Sequence, residues 1–185
     1  MARPRNTDSD AAILAAAADA LQRQGYDGLV VDELARAVGV AKTTVYRRWP
    51  TKNHLVVSVI AQWQGEVRIP ESGDTAADLT SIVAGMARSL DPAPMRRLVA
   101  ELAAASARDA DLRLQVEQLW QQRRAAAATV LARGISDGSL RGDLDVEVTM
   151  DQLAGAVYYR VLITGAVLDD GFARELVHGV LAGAR

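Results

Sequence analysis

Hydrophobic residues recur at helical spacing along almost the whole chain, and the strict alternation of a half-buried strand is nearly absent. A first helix is predicted to begin near residues 7–9 and to stop at Gly25. Its apolar positions share one face: Ile13, Leu14, Ala17 and Leu21. The pattern predicts an all-α fold of about nine helices.

Two short helices follow, separated by a glycine. The first is predicted over roughly 32–38 and ends at Gly39, where a backbone without a Cβ turns easily. The second is predicted over about 42–49 and is closed by Pro50. Short helices joined by a tight glycine-containing turn form a helix-turn-helix motif. We therefore expect a DNA-binding domain over residues 1–52 and a second helical domain over 53–185, connected by a fourth helix at about 51–66.

The second domain is also predicted to be helical throughout. Polar and Pro/Gly-rich stretches such as "DPAP" (91–94) and "SDGSLRGDLD" (136–145) separate its apolar segments. The predicted helices lie at roughly 75–90, 93–107, 110–136, 145–168 and 170–183.

Charge is distributed unevenly along the chain, whose formal net charge is −2. Residues 1–65 carry eight Lys/Arg and six Asp/Glu, whereas residues 66–185 carry 13 and 17. The segment 36–52 holds five cations and no acid. A basic segment on an acidic chain indicates a polyanion-binding end, although a solvated helix face is the alternative reading of the charge alone.

The third helix places different chemistry on its two sides. Val45 and Trp49 share one side and are expected to pack on the second helix, which presents Leu34 and Val38. The remaining side chains point outward and suit a DNA duplex, because hydroxyl, phenol and cationic groups bind bases and phosphates. These candidate DNA-binding residues are Lys42, Thr43, Thr44, Tyr46 and Arg47.

The stretch 28–55, "GLVVDELARAVGVAKTTVYRRWPTKNHL", resembles the helix-turn-helix of the TetR family of transcriptional regulators. The resemblance implies that the outward residues of the third helix face an operator, that Thr51 and Lys52 hold phosphate, and that Trp49 is core. It also implies a homodimer on a pseudo-palindromic operator, acting as a repressor that a small-molecule effector releases.

The second domain resembles the dimerisation and effector-binding domain of TetR-type proteins, through "YYRVLITG" among other segments. The run 153–168 is apolar around nearly the whole helical wheel, which predicts burial on two sides. A dimer would bury both sides, and a central core helix of a monomer is the alternative. The predicted interface residues are Leu153, Val157, Val161, Phe172 and Leu176.

Large side chains on inward stripes of several helices are candidates to line a pocket for an apolar effector, although such residues also form plain core. They are Trp63, Met86, Trp120 and Tyr159. Arg160 is the only charge within the apolar run, and it either makes a salt bridge or interface-edge contact or neutralises an anionic effector.

Enzymatic chemistry is not predicted. The chain has no cysteine, and its two histidines, His54 and His178, lack a second ligand at metal spacing. We expect His54 to be an exposed helix residue, with a contribution to DNA binding as the alternative, and we expect no cofactor or metal. The absence of a signal-peptide pattern and of a long apolar run predicts a cytoplasmic protein without a membrane partner. A helical scaffold that binds only protein is the remaining alternative.

Overall fold

The computed structural model describes residues 5–64 and 69–184, and every regular element within these ranges is helical. This confirms the all-α fold predicted from the hydrophobic spacing. The described elements are α1 (Arg5–Gly28), α2 (Val31–Val38), α3 (Lys42–Arg48), α4 (Lys52–Gln64), α5 (Thr75–Leu90), α6 (Ala93–Ser106), α7 (Ala110–Ser136), α8 (Val146–Tyr159), a π-helical segment (Arg160–Thr164) and α9 (Asp170–Ala182).

Helix boundaries follow local signals closely. The Asp74 carboxylate accepts hydrogen bonds from the backbone N–H groups of Ala76 and Ala77, at 2.9 and 3.0 Å, and thereby caps α5. Gly25 interrupts α1 with a φ of 71°, at the position where the sequence predicts a stop. The two helices of the predicted helix-turn-helix are present as α2 and α3.

The prediction of a single helix over 145–168 is wrong at its C-terminal end. The α-helix ends at Tyr159, and the π-helical segment ends at Gly165, which has a φ of 66° and donates its backbone N–H to the Arg160 carbonyl across 2.9 Å. Glycine adopts this left-handed conformation without the Cβ clash that other residues suffer. The apolar sequence continues past Gly165, but the helix does not.

The chain divides into two compact units. The first contains the described parts of Met1–Gly65 and Arg97–Leu119. Within it, α1 packs against α2 and α4, and α2 packs against α3. Its core consists of fully buried aliphatic side chains that include Ile13, Leu21, Leu29, Leu55, Ile60, Leu98 and Leu112.

The second unit contains the described parts of Glu66–Arg96 and Trp120–Arg185, with α5, α8 and α9 packed against one another. Buried Asp78 accepts hydrogen bonds from Ser72, whose hydroxyl lies 2.6 Å from Asp78 Oδ1, and from the Arg133 guanidinium at 3.3 Å. A buried carboxylate is costly unless it is paired, and these bonds supply the partners of Asp78. They also connect the segment that precedes α5 with α7.

Candidate DNA-binding site

The turn between α2 and α3 is closed by backbone hydrogen bonds. Gly39 has φ 72° and ψ 30° and donates its N–H to the Arg36 carbonyl across 3.2 Å. The next N–H, of Val40, donates to the Ala35 carbonyl across 3.0 Å. This paired pattern is the Schellman motif, which ends a helix sharply at a glycine. It allows α3 to begin only three residues after Gly39.

The inward side of α3 is anchored by two side chains. Val45 is fully buried, and Trp49 is buried at the C-terminal end of the helix. The indole N–H of Trp49 donates to Ser58 Oγ on α4 across 2.9 Å. The predicted core positions of Val45 and Trp49 are therefore confirmed, and the rotation of α3 about its axis is fixed.

Fixing the inward side determines the outward side. Four predicted DNA-binding residues on α3 are exposed together, and a fifth, Thr44, is half-buried. The α3 surface presents two cations, a hydroxyl and a phenol in fewer than two turns. The exposed residues are Lys42, Thr43, Tyr46 and Arg47.

Lys42 has a partner on the preceding helix. Its Nζ lies 2.7 Å from Asp32 Oδ2, and it also lies 5.5 Å from the centroid of the Tyr46 ring. The hydrogen bond to Asp32 raises the pKa of the Lys42 ammonium group. The sequence does not predict this pair, because helical periodicity does not relate two residues that lie ten positions apart on different helices.

Lys52 opens α4 and lies against the end of α1. Its Nζ is 4.2 Å from the centroid of the Tyr26 ring and 3.5 Å from the Asp27 carbonyl oxygen. Burial lowers the pKa of the Lys52 ammonium group, since desolvation disfavours the charged form. Tyr26 in turn donates its hydroxyl to Asn53 Oδ1. Neither Tyr26 nor Asn53 was predicted to take part in the site.

Thr51 caps the start of α4 through its side chain. Its hydroxyl accepts the His54 backbone N–H across 3.4 Å and lies 2.7 Å from His54 Nδ1. The expectation that His54 is exposed is wrong, because this side chain is only 3% exposed. His54 lies in the first turn of α4, and its side chain is buried like those of the next two residues, Leu55 and Val56.

Arg48 flanks the buried side of α3. Its guanidinium lies 3.2 Å from Asp10 Oδ2 on α1. This ion pair links α3 to α1 within the first unit and leaves Arg47 as the outward-facing arginine of the helix.

The candidate pocket residues are oriented differently from one another. Trp63, Met86 and Trp120 are half-buried, and the Trp120 ring meets the Tyr158 ring edge to face at 5.1 Å between centroids. Tyr159, predicted to point inward, is 59% exposed, so that orientation is wrong. Adjacent helical residues differ by about 100°, and Tyr158 takes the inward position instead.

The orientation assumed for the predicted interface residues of the 153–168 run also needs correction. Leu153, Val157 and Val161 are buried inside the chain itself. The helical wheel of residues 153–168 is apolar on both sides, so the sequence did not indicate which side faces the core. The exposed side carries Tyr159, Leu162, Ile163 and Val167, whereas Phe172 and Leu176 on α9 are half-buried.

Arg160 stabilises the turn after α8. Its guanidinium donates to the Val167 carbonyl across 2.5 Å and lies 3.8 Å from the centroid of the Phe172 ring. Arg96 donates to the Arg160 and Ala166 carbonyls, each across 3.1 Å. Two guanidinium groups therefore hold the segment that carries the exposed apolar residues.

Within the described ranges, no cluster of His, Asp or Glu side chains is arranged to hold a metal ion. None of the helices in that part of the chain combines the length and the apolar character that a bilayer crossing requires.

A helix-turn-helix with a basic, hydroxyl-bearing outer face is typical of DNA-binding proteins. Two family models match the chain: one described as bacterial regulatory proteins of the tetR family over residues 13–59, and one described as the tetracyclin repressor-like C-terminal domain over residues 69–180. The chain belongs to the TetR family of transcriptional regulators, which are DNA-binding proteins and not enzymes.

Individual relatives agree with the family models. The chain is 32% identical to the HTH-type transcriptional regulator YdeS of Bacillus subtilis, with 99% of this chain and 93% of YdeS covered. It is 31% identical to the DNA-binding transcriptional repressor TetR of Mycobacteroides abscessus, covering 96% and 94%. The crystal structure of the TetR family transcription regulator SCO0332 is similar to it, with a TM-score of 0.80, 35% identity and coverage of 96% and 99%.

Proposed function

We propose that the chain is a repressor that binds a pseudo-palindromic operator as a homodimer, with α3 in the major groove, and that a small effector releases it. The observation that carries this proposal is the two-sided character of α3. Val45 and Trp49 hold one side in the core, and the opposite side offers Lys42, Thr43, Tyr46 and Arg47 to solvent.

Some of the exposed side chains are suited to contact DNA bases, and others are suited to contact the phosphate backbone of DNA. An arginine such as Arg47 recognises guanine through paired hydrogen bonds, and a small hydroxyl such as Thr43 allows close approach to base edges. Tyr46 is suited to a phosphate oxygen. Lys42 and Thr44 occupy the first turn of α3, where the helix dipole favours an anion. We assign Thr51 and Lys52 to phosphate at the start of α4.

A homodimer follows from the small reach of a single α3. One short helix contacts few base pairs, and two copies related by a twofold axis read two half-sites. We propose that the partner subunit covers the exposed apolar side of the 159–167 segment. Ile163 and Val167 are 70% and 67% exposed in the single chain, and this exposure of large aliphatic side chains supports an interface there.

We propose that the effector is a small apolar molecule bound by the second unit. The C-terminal family match supports such a role, and half-buried aromatic side chains such as Trp120 offer the contacts that apolar ligands need. Met86, which belongs to the same unit, remains a candidate for the same role. Trp63 belongs to the first unit and is left out of this proposal, and the exposure of Tyr159 favours a surface contact. We also place the protein in the cytoplasm, where a bacterial operator is accessible.

Amine labelling tests the proposed DNA face, because Lys42 and Lys52 are the only lysines. The chain is labelled with an amine-reactive reagent in the presence or absence of a random-sequence duplex at low salt, and each site is quantified by mass spectrometry. We expect the duplex to protect both lysines while the α-amino group keeps its reactivity as an internal reference. Equal labelling of both lysines in the two samples would contradict the assignment of this face.

A further inference from the structure

The ion pair between Asp32 and Lys42 joins the two helices of the DNA-binding motif. Asp32 lies in the first turn of α2, and Lys42 is the first residue of α3. Their charged atoms are 2.7 Å apart, and the two side chains are 45% and 56% exposed respectively. The pair therefore occupies the outer surface on which α3 presents its candidate DNA contacts.

The ion pair between Asp32 and Lys42 contributes little to the stability of the fold. Ion pairs between side chains that are this exposed contribute little to stability, because water screens them and both side chains lose rotational freedom. The favourable interaction of an acid with the N-terminus of α2 is also supplied by Glu33 in the same first turn. Neither the stability of the fold nor the dipole of α2 therefore explains why Asp32 is paired with Lys42.

Arg47 provides the contrast on the same helix. Among the described residues, no ion pair engages its guanidinium, so it contacts DNA without giving up a protein partner. To bind a DNA phosphate, Lys42 must first give up its ion pair with the Asp32 carboxylate. A phosphate drawn to the Lys42 ammonium also approaches the Asp32 carboxylate, and the two anions repel each other.

We propose that Asp32 competes with DNA phosphate for Lys42 and so lowers the affinity of the chain for DNA. The inference rests on the proposed function, since it assumes that Lys42 faces the duplex. Asp32 thereby keeps DNA affinity below the maximum that the basic surface allows, which favours release of the protein from DNA.

The test compares two neighbouring acids in the first turn of α2. Asp32→Asn and Glu33→Gln each remove one negative charge from the first turn of α2, but only Asp32 is paired with Lys42. Binding of the full chain to a random-sequence duplex is measured by fluorescence anisotropy at several salt concentrations. We expect Asp32→Asn to raise the affinity by about two- to fivefold per subunit, the factor that corresponds to an exposed ion pair. Glu33→Gln should raise it less.

A second background isolates the pair. In a Lys42→Gln chain, Asp32→Asn and Glu33→Gln should have equal effects, because no competition for Lys42 remains. Thermal unfolding should show that all variants are folded and that Asp32→Asn leaves the midpoint unchanged.

Three results have distinct meanings. If Asp32→Asn and Glu33→Gln shift the affinity of the otherwise unaltered chain equally, only long-range charge matters and the inference is wrong. If Asp32→Asn lowers the affinity, Asp32 orients Lys42 or accepts from a base amine, and competition is again excluded. If the unaltered chain does not bind duplex DNA at all, the proposed function fails and the inference fails with it.

Discussion

Trp49 donates its indole N–H to Ser58 Oγ across 2.9 Å, and this bond ties the end of α3 to the middle of α4. The Ser58 hydroxyl in turn donates a hydrogen bond to the His54 carbonyl oxygen across 3.1 Å. The orientation of α3, the helix proposed to face DNA, therefore depends on a polar contact within the core as well as on the packing of Val45.

Removing the Ser58 hydroxyl should destabilise the first unit. Ser58→Ala leaves the Trp49 N–H without its acceptor in a largely buried position, and such a loss costs about 1–3 kcal/mol. Urea denaturation measures the change in the free energy of unfolding. In a Trp49→Phe background the same substitution should cost clearly less, because no indole N–H remains. An equal cost in both backgrounds would show that this hydrogen bond contributes nothing to stability.

The turn between α2 and α3 should be sensitive to a Cβ at Gly39. Gly39→Ala forces alanine into a left-handed conformation and should cost about 1–2 kcal/mol. A Cβ there meets no atom within 4 Å, so the cost reflects backbone strain alone.

Gly85→Ala is the matched control for that substitution. Gly85 lies inside α5, where a Cβ also meets nothing within 4 Å, and alanine there should stabilise by about 0.4–1 kcal/mol. Chemical denaturation distinguishes the two signs. Stabilisation by Gly39→Ala would mean that this turn does not adopt the left-handed conformation in solution.

The pKa values of the two lysines should be shifted in opposite directions from the usual lysine value. Burial lowers the pKa of Lys52, and the hydrogen bond to Asp32 raises the pKa of Lys42, so unprotonated amine appears at lower pH on Lys52. Amine-labelling rates of the free protein, each normalised to its own high-pH plateau, should therefore rise at lower pH for Lys52 than for Lys42.

Asp32→Asn provides the control for this titration. It should move the Lys42 profile toward lower pH and leave the Lys52 profile in place. The reverse order of the two lysines in the unaltered chain would contradict the contacts described for both.

Much of the helical framework could be predicted because its signals are local. Asp74 before α5 and Gly39 after α2 mark helix ends within a few residues of sequence, and Val45 and Trp49 follow from periodicity alone. The end of α8 was missed because Gly165 is embedded in apolar residues that still read as helix. The pairs Asp32–Lys42 and Tyr26–Lys52 were missed because tertiary packing, rather than spacing, brings them together.

The burial pattern of the 153–168 run predicts opposite effects for two substitutions, one at an exposed and one at a buried position. Ile163→Asp places a charge on the exposed apolar side and should separate the subunits while leaving each chain folded. Val157→Asp places an unpaired charge at a fully buried position and should destabilise the fold by about 3–5 kcal/mol. Sedimentation velocity measures the first effect, and thermal unfolding followed by circular dichroism measures the second. An Ile163→Asp protein that remains dimeric would show that the partner binds elsewhere.

The central claim is that two copies of α3 read two half-sites related by a twofold axis. Selection of bound duplexes from a random DNA pool, followed by sequencing, measures this directly. We expect an inverted repeat whose half-site centres lie about 34–36 Å apart, one turn of the duplex, or a multiple of it. A single asymmetric motif, or a pool with no enriched sequence, would contradict the account.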